Sequence, residues 1–205
     1  MVDKSIPFAD IIMRNDAPKF VQPVLPEGYC MDTYREGDDE AWARMEVFAG
    51  DFKTYELALD YFRRTYLPYP EELKKRFVMV RNAAGEGVSS CIAWRTVRNG
   101  KPCSTLQWLV TAEGYEGLGL ARAVAFETVN RYHALGESPV WLHTQPWSYK
   151  AVWLYYQAGF RITSNDLLQV FPNRYAEAMP VLETLIPEEK MKLLRESVLH
   201  DRPLW

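Results

Sequence analysis

The chain has 205 residues, 24 Lys plus Arg against 27 Asp plus Glu, a formal charge of −3 and 48% hydrophobic residues; that suits one ordinary domain with a proper core, or one domain with an elaborated end, and carries no basic footprint for nucleic acid. Three widely spaced cysteines, Cys30, Cys91 and Cys103, argue against a disulfide framework and a structural zinc, so no metal is expected. No run approaches the roughly 20 apolar residues of a membrane span and the N-terminus lacks a secretory signal, so a cytoplasmic protein without a membrane partner is expected.

Residues 1–27, with Pro7, Pro18, Pro23 and Pro26 around the apolar run Phe8 to Met13, read as an extended N-terminal arm with room for one strand. Tyr29, Met31 and Thr33 alternate as in a strand, and Asp38, Asp39 and Glu40 after Gly37 open a helix through about Phe48. Leu57, Tyr61, Phe62 and Thr65 give a second helix over 54–66, stopped by Pro68 and Pro70. Strands follow at Phe77 to Val80, Val88 to Val97 and Lys101 to about Val110. Asn99-Gly100 joins the last two, because a type I′ turn needs positive φ at both central residues. A long helix carries Ala121, Val124, Ala125, Thr128, Val129 and Tyr132 on one stripe and stops at Gly136. Then come a strand from Pro139 to Thr144, a helix to Ala158 closed by Gly159, and a strand from Phe160. The order gives an α+β sandwich with helices on both faces of a mostly antiparallel sheet. It is not a doubly wound sheet.

Chemistry enters at YEGLGLARAV (115–124), between a strand and a helix. Gly117 and Gly119 let backbone N–H groups turn inward, and the helix start adds unpaired donors and a partial positive charge, a combination suited to a pyrophosphate. The same glycines also serve a plain tight connection. A Rossmann dinucleotide site fits poorly, since the loop follows an antiparallel hairpin and does not read G-x-G-x-x-G.

Taken with the next forty residues, the stretch resembles the acetyl-CoA-dependent N-acetyltransferase superfamily called GNAT. Gly119 and Ala121 fill the glycine and Gly/Ala positions of the family's Q/R-x-x-G-x-G/A loop, with Glu116 standing where a basic or amide side chain is usual. Ala151, Leu154, Tyr155, Gly159 and Phe160 fill its N-x-x-A-x-x-L-Y-x-x-x-G-F pattern, with Ser148 in place of the Asn. The resemblance covers about 28–165, the acetyltransferase domain. It implies a V-shaped splay between the fourth and fifth strands, where Leu109, Val110 and Thr111 form the edge that pairs with the pantetheine arm of acetyl-CoA. Gly117, Leu118, Gly119, Leu120, Ala121 and Arg122 would cradle the pyrophosphate. Arg122 equally suits plain solvent exposure, and Ser148 suits either cofactor contact or a helix cap.

Tyr155 is implied as the proton source for the leaving thiolate; on residues alone it also suits a core aromatic, and Tyr156 points about 100° away. The base is open: Cys103 to Val110 holds no Asp or Glu, His143 has a suitable ordinary pKa, and Glu113, Asp51 and Gln107 acting through a water are weaker candidates. The family's acceptor side maps to 49–70, where Phe52, Tyr55, Tyr61, Phe62, Tyr66 and Tyr69 interleave with Asp51, Glu56 and Asp60. Ring faces and carboxylates suit a small-molecule amine, with a protein or peptide N-terminus as the other acceptor, and most of the same rings equally suit packing on the sheet. An acyltransferase acting on such an amine by direct attack is the implied function, and an acyl-CoA-binding or sensing module without turnover is the alternative. Residues 166–205 read as a C-terminal helical extension. Met179, Leu182, Leu185 and Ile186 give one face and Met191, Leu194 and Val198 a second, packed on the same domain or on a second copy, so the chain is a monomer or homodimer.

Overall fold

The computed structural model describes residues 3, 5–98, 100–165 and 172–200. Among them the chain runs β1 (Ile11–Asn15), β2 (Cys30–Asp32), α1 (Asp38–Ala49), α2 (Tyr55–Thr65), α3 (Pro70–Arg76), β3 (Phe77–Arg81), β4 (Gly87–Arg98), β5 (Lys101–Thr111), α4 (Leu120–Leu135), β6 (Val140–Thr144), α5 (Tyr149–Gln157), β7 (Arg161–Ile162), α6 (Tyr175–Leu185) and α7 (Glu188–Glu196). The strands hydrogen-bond in the order β2-β3-β4-β5-β6-β1-β7. The pairs β2/β3, β3/β4, β1/β6 and β1/β7 are antiparallel. β5 and β6 are parallel at Ser104↔Val140 and Thr105↔Trp141. This is the expected α+β sheet; because the N-terminal run supplies a strand, the strands expected as fourth and fifth are β5 and β6. Among the described residues no helix is long and apolar enough to cross a membrane. The turn residue Asn99 and the start of the C-terminal extension at 166–171 lie outside the described residues; Gly100 has φ 73°.

Two compact units divide the chain, one made of 20–94 and 106–136, the other of 2–19, 95–105 and 137–205. In the first, Phe77 and Met79 of β3 and Ile92 and Trp94 of β4 face α1 and α2 in a buried cluster with Trp42, Ala43, Phe62 and Tyr66. The opposite face of β3 meets α4, as strand alternation dictates. The sequence logic of α2 is local: the Thr54 hydroxyl accepts the Leu57 N–H at 3.3 Å as its N-cap. α3 is an element the sequence reading lacks. Pro70, read there as a stop, sits instead at the first turn, where its missing N–H costs nothing, with Glu71 and Glu72 at the start and Lys74, Lys75 and Arg76 at the end. A buried ion cluster pins α1 to the strands: Arg81 donates to both Asp38 carboxylate oxygens at 3.0 and 2.7 Å and to Asp32 at 2.6 Å.

In the second unit, the segment read as an N-terminal arm supplies an interior strand. β1 lies between β6 and β7 and is buried at every residue, which explains why Ile11-Ile12-Met13 shows no polar alternation. Ile12, Cys103 and Trp141 make a core cluster, and Arg14 lies 5.3 Å over the Trp141 ring. α6 packs on β1 and α7 on α5, burying Met179, Leu182, Ile186, Met191 and Leu194, while Leu185 and Val198 stay half-buried.

Candidate functional site

The sequence-predicted residues fall in both units: Leu109, Val110, Thr111 and Gly117 to Arg122 in the first, His143, Ser148 and Tyr155 in the second.

In the first unit one continuous segment, 106–122, carries three special backbone features. β5 kinks at Trp108, whose φ is 56°. A bulky residue in the left-handed region is strained by roughly 1–2 kcal/mol and persists only where its surroundings fix it. Here they do: the Trp108 indole N–H donates to the Tyr66 hydroxyl at 2.8 Å, that hydroxyl donates to Gln107 Oε1 at 2.6 Å, and the ring packs against Trp42, Phe52 and Tyr61. Burial holds the Tyr66 phenol well above its ordinary range, so it acts as a fixed dipole. Beyond the kink, the Val110 carbonyl and the Thr111 hydroxyl each bond Ser89 Oγ at 2.9 Å.

The loop comes next. Gly114, Gly117 and Gly119 have φ of 80°, 80° and 81°. The Glu116 carboxylate accepts the Gly114 N–H at 2.8 Å and is held below the usual carboxylate range chiefly by its own backbone N–H. The residue that departs from the family pattern thus braces the loop from within, and Tyr115 braces it from outside by accepting from Asn82 at 3.0 Å. A Cβ built on Gly117 would meet nothing within 4 Å, so that side of the loop is open. α4 then starts with no side-chain cap and no acidic residue in its first turn, which leaves N–H donors at Leu120, Ala121 and Arg122 for an anion. Arg122 is exposed, with Nη2 3.6 Å from where a Gly119 Cβ would stand, so its guanidinium lies over the loop.

The acceptor-side segment sorts by burial. Phe62 and Tyr66 are packed in the core, Phe52, Tyr55 and Tyr61 are half-buried, and Tyr69 is exposed. α1 ends here in a Schellman motif: Gly50, at φ 81°, donates to the Val47 carbonyl at 3.0 Å and Asp51 donates to the Glu46 carbonyl at 3.0 Å. Glu46 is fully buried, and burial first and the Asp51 carboxylate second push its acid well above the ordinary range. The sequence reading named Asp51 and missed Glu46.

In the second unit the same backbone device ends α5. Gly159, at φ 96°, donates to the Tyr156 carbonyl at 3.1 Å, and Phe160 donates to the Tyr155 carbonyl at 2.9 Å. Tyr155 is 7% exposed, its ring edge-on to Phe160 at 6.1 Å. The Y-x-x-x-G-F spacing is therefore a helix stop that sets the orientation of Tyr155. A Cβ on Gly159 would come within 2.8 Å of Asn15 Nδ2, which donates to the Ala158 carbonyl at 3.2 Å. Ser148 precedes α5 but makes no side-chain cap bond; its hydroxyl accepts from Gln145 at 3.2 Å. His143 stands opposite Ile12 on β6, and its Nε2 is bound to the buried Asp10 carboxylate.

No protein-family model matches the sequence, and no curated protein does. Among solved structures, the fold is similar to that of a GCN5-related N-acetyltransferase from Sphaerobacter thermophilus, at 25% identity and a TM-score of 0.55 over 76% of this chain and 49% of that one. It is also similar to an acetyltransferase from the GNAT family of Colwellia psychrerythraea, at 13% identity and a TM-score of 0.54 over 76% and 54%. A tandem GNAT protein from the clavulanic acid biosynthesis pathway aligns at 16% identity and a TM-score of 0.54 over 77% and 50%. The chain spans about half the length of these structures.

Proposed function

We propose that this chain, whose fold is similar to that of GNAT-family acetyltransferases, transfers an acetyl group from acetyl-CoA to a primary amine of a small molecule by direct attack. The observation that carries this reading is the order of features along 106–122: a kinked strand, an open glycine loop braced by Glu116 and Tyr115, and an uncapped helix start beneath Arg122. That order suits an extended amide-bearing arm followed by a pyrophosphate. Acetyl-CoA supplies the thioester carbon that the amine attacks.

The chain's own residues take the remaining roles. Backbone groups of Leu109, Val110 and Thr111 align the arm. N–H groups from Gly117, Leu118, Gly119, Leu120 and Ala121, with the Arg122 cation, hold the phosphates, and Ser148 contributes a hydroxyl. The amine lone pair forms the C–N bond as the C–S bond breaks, and Tyr155 gives its phenolic proton to the departing sulfur. His143, bound to Asp10, is one candidate to take the proton that the amine sheds.

Release of free thiol from acetyl-CoA on adding a panel of primary amines tests the reading. Amine-dependent release is the expected result. Tight acetyl-CoA binding with no release by any amine overturns it in favour of a sensing module, and absence of binding removes both.

A further inference from the structure

The end of α1 holds polar groups that packing alone does not explain. The indole nitrogen of Trp42 and the hydroxyl of Ser90 are buried without a hydrogen-bond partner, and the carboxyl of Glu46 is buried with the Asp51 side chain acting on it. A buried polar group left unpaired is normally selected against, because nothing offsets its lost hydration. Trp42 and Glu46 are four residues apart, on one face of α1. Ser90 pairs with Met79 and alternates with Ile92 and Trp94, so it faces the same layer from β4. Around them stand Phe52, Tyr61 and Trp108, all half-buried, with ring centroids 5.6, 6.2 and 5.7 Å from that of Trp42. Unpaired acceptors and donors among ring faces are what a cationic, hydrogen-bonding head group would satisfy.

The Schellman motif supplies the second half of the argument. It brings together the side chains of the residue four before the glycine and the residue directly after it, and that contact is normally apolar. At the end of α5 it is, as Tyr155 against Phe160. At the end of α1 the same two positions are Glu46, fully buried, and Asp51, exposed to water.

We propose that Glu46 takes the proton of the acceptor ammonium and that Asp51 carries it to water, so that the acceptor is a cationic primary amine whose head is read by one carboxylate within a ring of aromatic faces. This rests on the acetyl-transfer reading above. Glu46 loses its proton through Asp51 as the cation enters, since the positive charge favours the carboxylate. Before attack one N–H bond of the ammonium breaks, its electron pair stays on nitrogen for the new C–N bond, and the proton passes to a Glu46 oxygen and on through Asp51 to solvent; as the C–S bond breaks the nitrogen sheds a second proton, which offsets the one that Tyr155 gives to sulfur. The other titratable groups that act near Glu46 stay neutral through this cycle: Tyr66, next to Tyr61, is held well above its ordinary range by burial, and burial pushes the Cys91 thiol of β4 up to about 12.

The test compares wild type, Glu46→Gln and Asp51→Asn across pH, with thiol release from acetyl-CoA as the assay and a cationic primary amine found by the panel as acceptor. Glu46→Gln, which keeps the shape of the acid, is expected to lower kcat/KM by roughly 10²–10⁴-fold and to erase the acidic limb of its pH profile, with acetyl-CoA affinity unchanged. Asp51→Asn, on an exposed position, is expected to keep the fold and move that limb to lower pH, because a like charge is gone. Calorimetry of amine binding in buffers of different ionisation enthalpy is expected to show proton release in wild type and none in Glu46→Gln. A purely structural Glu46 would shift Tm and leave the acidic limb in place. A folded Glu46→Gln with wild-type kcat/KM and an unmoved limb overturns the proposal while acetyl transfer stands. A wild type that binds acetyl-CoA and acetylates no amine overturns both.

Discussion

Gly119 offers the sharpest separation of backbone shape from charge in the proposed pyrophosphate cradle. At φ 81° any L side chain is strained, and the cost is roughly 1–2 kcal/mol. That cost is shared by Gly119→Ala and Gly119→Asp, and it falls on folding. Space is not the obstacle, since the nearest atom to an added Cβ is Arg122 Nη2 at 3.6 Å, an ordinary contact. Both variants are therefore expected to lose about 2–8 °C in Tm. Only the aspartate adds a negative charge, and it does so beside the guanidinium that the phosphates would use. Two unit charges about 4 Å apart near a protein surface interact by about 4 kcal/mol, close to three decades in affinity. Salt screening of an exposed loop reduces this, so about two decades of loss is a conservative expectation. Titration calorimetry with acetyl-CoA should find Gly119→Ala within a few-fold of wild type and Gly119→Asp about 100-fold weaker or worse. Equal affinities for the two variants would refute the placement of an anion on this loop.

Tyr155→Phe keeps the edge-on contact with Phe160, so Tm and acetyl-CoA affinity should hold while kcat falls roughly 10–1,000-fold; unchanged turnover removes Tyr155 from the mechanism. Arg81→Met leaves Asp38 buried and without the guanidinium that now bonds both its oxygens, which should cost about 3–5 kcal/mol; denaturant unfolding measures it. Burial opposes ionisation of Asp32, but its bond to Arg81, the Thr33 N–H and the charges of Arg81 and Arg35 together outweigh this and hold its acid below the ordinary range. The stability that Asp32 contributes is thus present above about pH 3.9 and lost as pH falls through the depressed value, and the acid limb of wild-type unfolding should shrink in Arg81→Met. Glu46 has the opposite sign: its folded acid binds a proton more tightly than the unfolded one, so its contribution is present below about pH 4.3 and lost as pH rises through the raised folded value. A plot of unfolding free energy against pH should be flatter in that window for Glu46→Gln; identical slopes would show that Glu46 is not perturbed.

Legibility in the sequence followed the range of the interactions. α2, α4 and α5 and the long hairpin were readable because caps, stripes and glycine stops lie within a few residues of one another, as with Thr54 and Leu57 or Tyr155 and Gly159. β1 was readable only as room for one strand in the arm, because what sets it inside the sheet is Thr144 to Val140 and Ile162 at the far end of the chain. α3 was hidden by an ambiguity in proline itself, which ends one helix and begins another with the same missing N–H. In the candidate site, the loop glycines were readable from letters alone, whereas the Trp108 kink was not: a tryptophan gives no local signal for positive φ, and rings from α1, from α2 and from the segments next to α2 hold it there.

Glu46 shows most clearly why the remaining part of the site was hidden. In the sequence it is a charged residue near a helix end, which ordinarily faces water. Yet Glu46-x-x-x-Gly50-Asp51 has the same spacing as Tyr155-x-x-x-Gly159-Phe160, and both fold into the same hydrogen-bonded stop with glycine at positive φ. In the second case the motif delivers the apolar contact that usually stabilises it, and a tyrosine hydroxyl is carried in with the ring. In the first it forces a carboxyl into a layer of aromatic side chains with a second carboxyl as its only neighbour in the motif, an arrangement that weakens the stop. Replacing Glu46 by Met should then stabilise the fold by about 1–3 kcal/mol, since a buried carboxyl set against a second carboxyl is removed at similar volume. Thermal unfolding checks it at neutral pH. A gain in Tm together with loss of turnover would mark α1's end as a site kept for its chemistry, whereas a loss of Tm would mean that the Glu46 carboxyl is satisfied as it stands and that the proton path has no basis.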